Sequence, residues 1–105
     1  MVNDILQAAG VTRRQARHTS PPAETYAVYY DDKEADGADD VVLLYLHDVT
    51  IELYEPNPDD DTEVRLESEL NARGLKWSKQ DRIWLQDRQR YQVVYEFSYI
   101  EKLRR

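Results

Sequence analysis

Side chains able to carry covalent or acid–base chemistry are few in this sequence and poorly placed for it. There is no cysteine, and the four serines lie outside the Gly-x-Ser-x-Gly setting that exposes a nucleophile. The histidines are His18, after a basic run, and His47, beside Asp48 in a predicted strand. Consecutive strand residues point to opposite faces, so His47 and Asp48 do not form a dyad. With only three glycines, a phosphate-binding loop is excluded. We expect no enzymatic activity and no cofactor, and a structural or solvent-facing His47.

One acidic stretch follows part of a calcium-binding pattern. From Asp32 to Gly37, acids occupy positions 1, 3 and 5 of an EF-hand loop and glycine occupies position 6, with Asp40 at position 9. Position 12 requires a bidentate glutamate but is Leu43, and the flanks favour strands rather than helices. We therefore predict no metal site, and interpret 31–40 as a mobile acidic loop kept open by its own charge repulsion.

Length and composition predict one domain with an ordinary apolar core. The chain has 105 residues, of which 41% are hydrophobic and 33% charged. No apolar run approaches the length of a bilayer span, and the N-terminus lacks the basic leader and apolar region of a signal peptide. Without cysteines, stability must come from packing. We expect a protein made in the cytoplasm, with no membrane partner.

Charge is distributed unevenly along the chain. Residues 1–64 hold 15 acidic and 4 basic side chains, a net of −11, whereas residues 65–105 hold 6 acidic and 10 basic side chains, a net of +4. Two solvated faces would explain this difference. The alternative is a subunit whose unlike faces meet in a ring or stack, because complementary potentials favour such contacts. Specific nucleic-acid binding is not expected, since phosphates would repel the acidic half.

The sequence pattern predicts two helices among several strands. The predicted elements are a helix over about 3–9, strands at 25–30 and 41–54, a helix over 58–73, short strands at 75–78 and 83–85, and a final strand at 91–98. Asn57 and Pro58 form a capping start for the main helix, and Gly74 suits its left-handed end. A bend or bulge near His47 and Asp48 would let one strand serve both ends of 41–54. The basic segment 13–20 is not assigned, and 101–105 is expected to fray.

This order of elements is typical of an α+β fold. We expect a single domain over 1–105, with an antiparallel or mixed sheet of about four to five strands and two helices packed on one face.

Aromatic residues are a further candidate for binding. Cross-strand packing accounts for most of the eight tyrosines, but aromatics on both faces of a strand indicate that a second subunit covers one face. Trp77 and Trp84 are either core residues or interface anchors. The candidate interface or lumen residues are Asp31, Asp32, Asp36, Asp39, Asp40, Trp77, Trp84, Arg88 and Arg90.

Three stretches of the chain carry a resemblance to a known family. They are Glu24 to Tyr30 after a proline pair, Val49 to Tyr54 leading through an acidic proline-containing turn into the main helix, and Tyr91 to Phe97. Together they resemble the small tail-completion proteins, terminators and tail-to-head joining proteins, of long-tailed phages and prophages. None of the stretches is a catalytic motif. The basic 13–20 segment and the acidic 31–40 segment depart from the family pattern.

The resemblance implies a structural subunit that caps the growing tail tube or joins tail to head. It further implies a homo-oligomeric ring, hexameric in this family, that contacts the tail tube protein and the head connector protein. Such a subunit assembles in the host cytoplasm and lies at the head-proximal end of the virion tail.

Several hypotheses remain open at this point. One is that the 31–40 segment faces the ring lumen, where negative charge keeps the passing genome from sticking. Replacing its five aspartates with asparagine would then hinder DNA ejection without preventing assembly. The alternatives to a tail-completion role are a head–tail connector or adaptor and a small soluble protein-binding module of a prophage. An enzyme would require a cleft with two perturbed carboxylates.

Overall fold

In the computed structural model, residues 1–15, 23–38 and 41–103 are described. Two helices and six strands follow one another along the chain. They are α1 (Val2–Ala9), β1 (Thr12–Gln15), β2 (Tyr26–Ala38), β3 (Val41–Glu55), α2 (Asp60–Ala72), β4 (Trp77–Lys79), β5 (Ile83–Leu85) and β6 (Arg90–Lys102).

All six strands belong to one sheet, and the predicted α+β class is confirmed. The strand order is β1-β2-β3-β6-β4, and β5 also pairs with β6. The β1–β2 pair is parallel and the other pairs are antiparallel, so the sheet is mixed. The strand beyond the expected four to five is β1, which overlaps the start of the basic segment that the sequence pattern left unassigned.

The core lies between one face of the sheet and the two helices. Strand alternation places Val93, Tyr95 and Phe97 on the helix side, as the sequence predicted for β6, and all three are buried. On the helices, Leu66 and Leu70 of α2 meet Ile5 and Leu6 of α1 in the same cluster. Its buried members are Val2, Ile5, Leu6, Ala9, Val11, Ala27, Tyr29, Val49, Ile51, Leu53, Leu66, Leu70, Val93, Tyr95 and Phe97.

The start of α2 differs from the prediction by two residues. The N-cap is Asp59 rather than Asn57, because Asp59 Oδ1 accepts the Thr62 amide N–H at 3.1 Å. Asp59 Oδ2 also accepts the Thr25 hydroxyl at 2.6 Å, which fixes the cap against the residue preceding β2. At the other end, Gly74 has a φ of 70°, the left-handed conformation expected from the sequence.

The predicted mobile loop at 31–40 is wrong for its described part. Residues 31–38 continue β2, and their backbone groups pair with β3 along an antiparallel ladder. Inter-strand hydrogen bonds satisfy this backbone, and that stabilisation outweighs the charge repulsion on which the loop prediction rested. Near the hairpin tip, a Cβ at Gly37 would overlap the Val41 carbonyl, so glycine permits the close approach of the two strands. Asp39 and Asp40 lie outside the described residues.

Two other expectations along the long strands are corrected. The bulge that was one of the two irregularities expected near His47 and Asp48 is absent, since β3 pairs without a register shift with both β2 and β6 through these positions. The fraying expected from residue 101 is also wrong for residues 101–102, because Glu101 and Lys102 belong to β6 and pair with β3. Beyond them, the Leu103 N–H donates to the Leu43 carbonyl at 3.0 Å.

Candidate functional site

Beyond the helices, the three longest strands form an arm. We define the arm as Asp31–Ala38 of β2, Val41–Asp48 of β3 and Ser98–Lys102 of β6. Among its described residues, only Tyr99 packs against the core cluster under the helices. The molecule is accordingly elongated, with extents of 50 × 28 × 22 Å.

His47 ties the three strands of the arm together on its helix side. The side chain is buried, with Nδ1 2.8 Å from Asp31 Oδ1 and Nε2 2.9 Å from Glu101 Oε1. The ring also stacks on Tyr99, with 4.2 Å between the centroids. Both carboxylates can accept a hydrogen bond from the ring only when both ring nitrogens carry protons, so this geometry favours the imidazolium cation. Burial alone would lower the pKa of His47, but the hydrogen bonds and charges of Asp31 and Glu101 outweigh burial and raise it.

The helix-free face of the arm combines exposed apolar side chains with carboxylates. Leu46 and Ile100 are cross-strand partners with exposed fractions of 37% and 58%. Asp32 and Asp48 face each other across β2 and β3, an arrangement of like charges that destabilises a strand pair. A cleft of about 500 Å³ opens here. Its lining residues are Glu34, Leu46, His47, Asp48, Ser98, Tyr99 and Ile100.

At the other end of β6, strand β5 exposes apolar side chains on both faces of the sheet, because Ile83 and Trp84 are consecutive strand residues. Ile83 and Trp84 are 50% and 44% exposed. The Trp84 ring lies edge-on to Tyr91 with 4.8 Å between centroids, and its indole N–H donates to Gln86 Oε1 at 3.0 Å. The Trp84 side chain is therefore oriented by its neighbours while a large part of it remains open to contact.

Below β4 and β5, two carboxyl groups are buried against two cations. Glu55 is fully buried, and the Arg82 guanidinium contacts Glu55 Oε1 at 3.3 Å and Glu63 Oε2 at 2.7 Å. Lys79 Nζ lies 2.8 Å from Glu63 Oε1. Burial and the neighbouring Glu63 raise the pKa of Glu55 to about 8. Burial would also raise the pKa of Glu63, but its hydrogen bonds with Glu55, Lys79 and Arg82 lower it.

An enzyme hypothesis would need two carboxyl groups with shifted pKa values, as Glu55 and Glu63 have, but these two groups are not open to a substrate. Glu55 and Glu63 are 0% and 3% exposed, and neither lines the cleft on the arm or the cleft beside Trp77. Glu55 Oε2 meets no donor among the described residues, in keeping with a protonated carboxyl that itself donates to Glu63. The arrangement docks the β4–β5 segment onto α2, and it supplies no accessible acid–base pair.

Glu55 gives the protein a pH dependence that one substitution should remove. Because its folded pKa is raised above the unfolded value, its protonated form stabilises the fold fully below the unfolded pKa, and this stabilisation is lost as pH rises through about 8. Glu55→Gln mimics the protonated form, so we expect the variant to gain roughly 1 kcal/mol or more over the wild type at pH 8. Urea unfolding between pH 5 and 9 measures this, with exposed Glu24→Gln as the matched control. If the unfolding free energy of Glu55→Gln falls with rising pH as steeply as that of the wild type, the prediction is contradicted.

The predicted acidic cluster is divided by the strand geometry. Asp31 points to the helix side and bonds His47, whereas Asp32 and Asp36, four residues apart on β2, lie on its helix-free face. The aspartates at 39 and 40 are outside the described residues. The three described positions therefore lie on opposite faces of a strand and not in one loop, and the five-fold asparagine replacement would also remove the carboxylate that faces His47.

The predicted aromatic and basic candidates also separate. Trp77 is half-buried against the core cluster, and its indole N–H donates to Asn71 Oδ1 at 2.9 Å. Trp84 is exposed at the β5 end. In the adjoining turn, the Arg88 guanidinium lies 5.0 Å above the Tyr54 ring. Arg90 begins β6 opposite Leu85.

Sequence reasoning missed the buried ionic cluster under β4 and β5. One signal was present: Glu63 shares the helix face of Leu66 and Leu70 at spacings of three and seven, which puts an acid on an apolar stripe. Arg82 carried no comparable signal, because its partners are 19 to 27 residues away in sequence.

Within residues 1–15, 23–38 and 41–103, no group of three or more histidine, cysteine, aspartate or glutamate side chains is arranged to hold a metal ion. Neither of the described helices is long and apolar enough to cross a membrane. No protein-family model matches the chain, and no curated protein is similar to it.

Proposed function

We propose that this protein is a structural virion subunit of a long-tailed phage or prophage that caps the tail tube or joins tail to head as part of a homo-oligomeric ring. The observation that carries the proposal is the arm, a three-stranded ribbon that extends past the helices with apolar side chains exposed on its helix-free face. Exposed apolar clusters rimmed by polar groups are typical of protein–protein contact surfaces.

The ring is supported by the difference between the two ends of the molecule. A closed ring of identical subunits uses heterologous contacts, which need two different and complementary surfaces on each copy. Here the arm is acidic and consists of β2, β3 and β6, whereas the β5 end carries Arg88 and Arg90 in the turn and strand that follow β5. A ring of such copies would contact the tail tube protein with one side and the head connector protein with the other.

The proposal includes no catalytic step. The chain's strongest acid–base pair, Glu55 and Glu63, is covered by Arg82 and Lys79, and His47 has both ring nitrogens engaged with carboxylates. These groups hold strands and helices together. A stabilising role accounts for all of their contacts.

Deletion of the coding segment from the source phage or prophage tests this function. After induction, negative-stain electron microscopy of the lysate should show full heads and separate tails. Tails of abnormal length would establish a terminator, and tails of normal length a joining or connector role. A plasmid copy of the wild-type chain should restore joined particles. Intact, infectious virions from the deletion strain would refute the proposal and favour a small protein-binding module.

A further inference from the structure

We propose that the uncovered, helix-free side of β2, β3 and β6 binds a short basic segment of a different protein, in which lysine or arginine side chains lie beside an apolar side chain. The proposed function rests on the arm part of this same surface, and the inference deepens it by naming the chemistry of the partner. Binding can be measured with purified protein, so the failure of the inference and the failure of the tail role are distinguishable.

Nine side chains form a regular grid on this side of the sheet. The strand register places them in three rows, and each row takes one residue from each of the three strands. The rows are Glu34–Leu46–Ile100, Asp32–Asp48–Ser98 and Tyr30–Thr50–Glu96, and together they are called the open face. Thr50 is half-buried and the other eight side chains are exposed, so the open face is available to a partner.

The charge on the open face is negative and unneutralised. Its four carboxylates, Asp32, Glu34, Asp48 and Glu96, form no ion pair with a described residue, and Lys76 lines the adjoining cleft without pairing to them. Every carboxylate in a described ion pair lies on α2 or on the helix side of the sheet. Asp32 and Asp48 also face each other across two strands, which costs stability. Cations from a partner would neutralise this repulsion.

Apolar side chains and clefts lie in the same grid. Leu46 and Ile100 are neighbours in one row, and Tyr30 is 45% exposed in the opposite one. The cleft on the arm, of about 500 Å³, and the cleft beside Trp77, of about 810 Å³, meet at Asp48 and Ser98, which line both. An apolar surface among polar groups is typical of a contact site.

The size of the open face fits a segment of chain and not a folded domain. The face is three strands wide and five residues long, roughly 250 Å² at about 4.8 Å between strands and about 3.4 Å per residue. A stable interface between two folded proteins buries about 800 Å² on each partner. A short extended or helical segment therefore matches the area of the face.

Charge decides which class of partner this segment comes from. Nucleic acid and anionic membranes would be repelled by the four carboxylates. A second copy is a poor match, because its own open face carries the same charge and most of its described cations are engaged. Arg65, Arg73, Lys79 and Arg82 form ion pairs, and Lys33 and Arg88 lie over tyrosine rings. A different protein with uncommitted lysine or arginine side chains meets the requirement.

A synthetic peptide tests this chemistry directly. The probe is Lys-Ser-Leu-Ser-Lys-Ser-Leu-Ser with blocked ends, which in an extended conformation presents lysine and leucine on one face and serine on the other. Isotope-labelled protein is titrated with the peptide at low salt, and the backbone amide shifts are followed by NMR. We expect saturable shifts concentrated in the three rows of the open face. The same peptide with glutamate in place of lysine should cause none.

Two matched double variants locate the binding site. Asp48→Asn with Glu96→Gln removes two carboxylates from the open face and should raise the Kd for the peptide by about tenfold or more. Asp4→Asn with Asp61→Asn removes the same charge from exposed positions on the two helices, and should change the Kd by less than about twofold.

Asp48→Asn alone separates binding from a structural role. Asparagine keeps an oxygen that can accept the Ser98 hydroxyl, and it relieves the repulsion from Asp32. The variant should therefore unfold at a higher urea concentration than the wild type while it binds the peptide more weakly. A carboxylate that served only to hold the sheet would not show these opposite effects.

Other outcomes overturn the inference. Shifts centred on the acidic start of α2, or equal affinities in the two double variants, would place the peptide elsewhere. Concentration-dependent shifts of the open face without peptide would show that a second copy occupies it. Specific binding by a chain whose deletion leaves virions intact supports this inference and overturns the tail role. A chain that is needed for joined particles but ignores the peptide overturns this inference and leaves the tail role standing.

Discussion

Replacing Arg82 with methionine should lower the free energy of unfolding by about 3 kcal/mol, because it removes a cation from two buried carboxyl groups. Arg82 contacts Glu55 and Glu63, whose side chains are 0% and 4% exposed. Its third contact, with Asp60, is largely in solvent and should contribute little. Lys79 stays beside Glu63 in the variant, which keeps the loss at the lower end for a broken buried pair.

The loss should be local as well as global. Arg82 lies between β4 and β5, so its removal should release this segment from α2, and amide hydrogen exchange there should increase before the rest of the sheet opens. Urea unfolding at pH 7, followed by circular dichroism, gives the stability. Arg73→Met is the matched control, since its contact with Glu69 is 4.0 Å long and partly exposed, and it should change stability by less than about 0.5 kcal/mol. Equal unfolding free energies for Arg82→Met and Arg73→Met would show that the ionic contacts of Arg82 do not hold β4 and β5 on α2.

Replacing His47 with phenylalanine should destabilise the protein by about 1–3 kcal/mol below pH 6, and by less at higher pH. Phenylalanine keeps the stacking on Tyr99 but leaves Asp31 without its hydrogen bond. The Asp31 carboxylate is 22% exposed and should account for most of the loss, whereas Glu101 is 50% exposed and screened by solvent.

The pH dependence identifies the cation as the cause. The pKa of His47 is raised in the folded state, so its stabilisation is fully present below the unfolded pKa of about 6.5 and is lost as pH rises through the folded pKa. The gap between wild type and His47→Phe should therefore narrow above pH 7 in urea unfolding curves. Glu101→Gln, the control at the exposed partner, should stay within about 0.5 kcal/mol. A gap that is constant from pH 5 to 9 would mean that a neutral histidine holds the arm.

These two substitutions act at opposite ends of the molecule. Arg82→Met should loosen the β5 end and His47→Phe the arm, and neither substitution replaces a residue of the core cluster. Loss of joined particles in both variants, with full stability of the central core, would connect the two clusters to assembly.

The amino-acid pattern by itself determined the fold class and most of the elements. The apolar residues of β3 and β6 alternate, and the leucines of α2 recur at helical spacing. Each spacing indicates which face of the element is buried, and it can be recognised from residues that are close together in the sequence. The left-handed conformation at Gly74 was predictable for the same reason, since it depends on residues adjacent in sequence.

Tertiary structure decided the features that depend on distant residues. The acidic segment from Asp31 became a strand because β3 supplied hydrogen bonds along its length, which local charge could not indicate. The pKa of His47 is raised because Asp31 and Glu101, 16 and 54 residues away, reach its two ring nitrogens. Glu55 and Arg82 likewise meet across 27 residues. Charged groups in a sequence predict solvent exposure one by one, and only the folded chain can bring opposite charges close enough to be buried together.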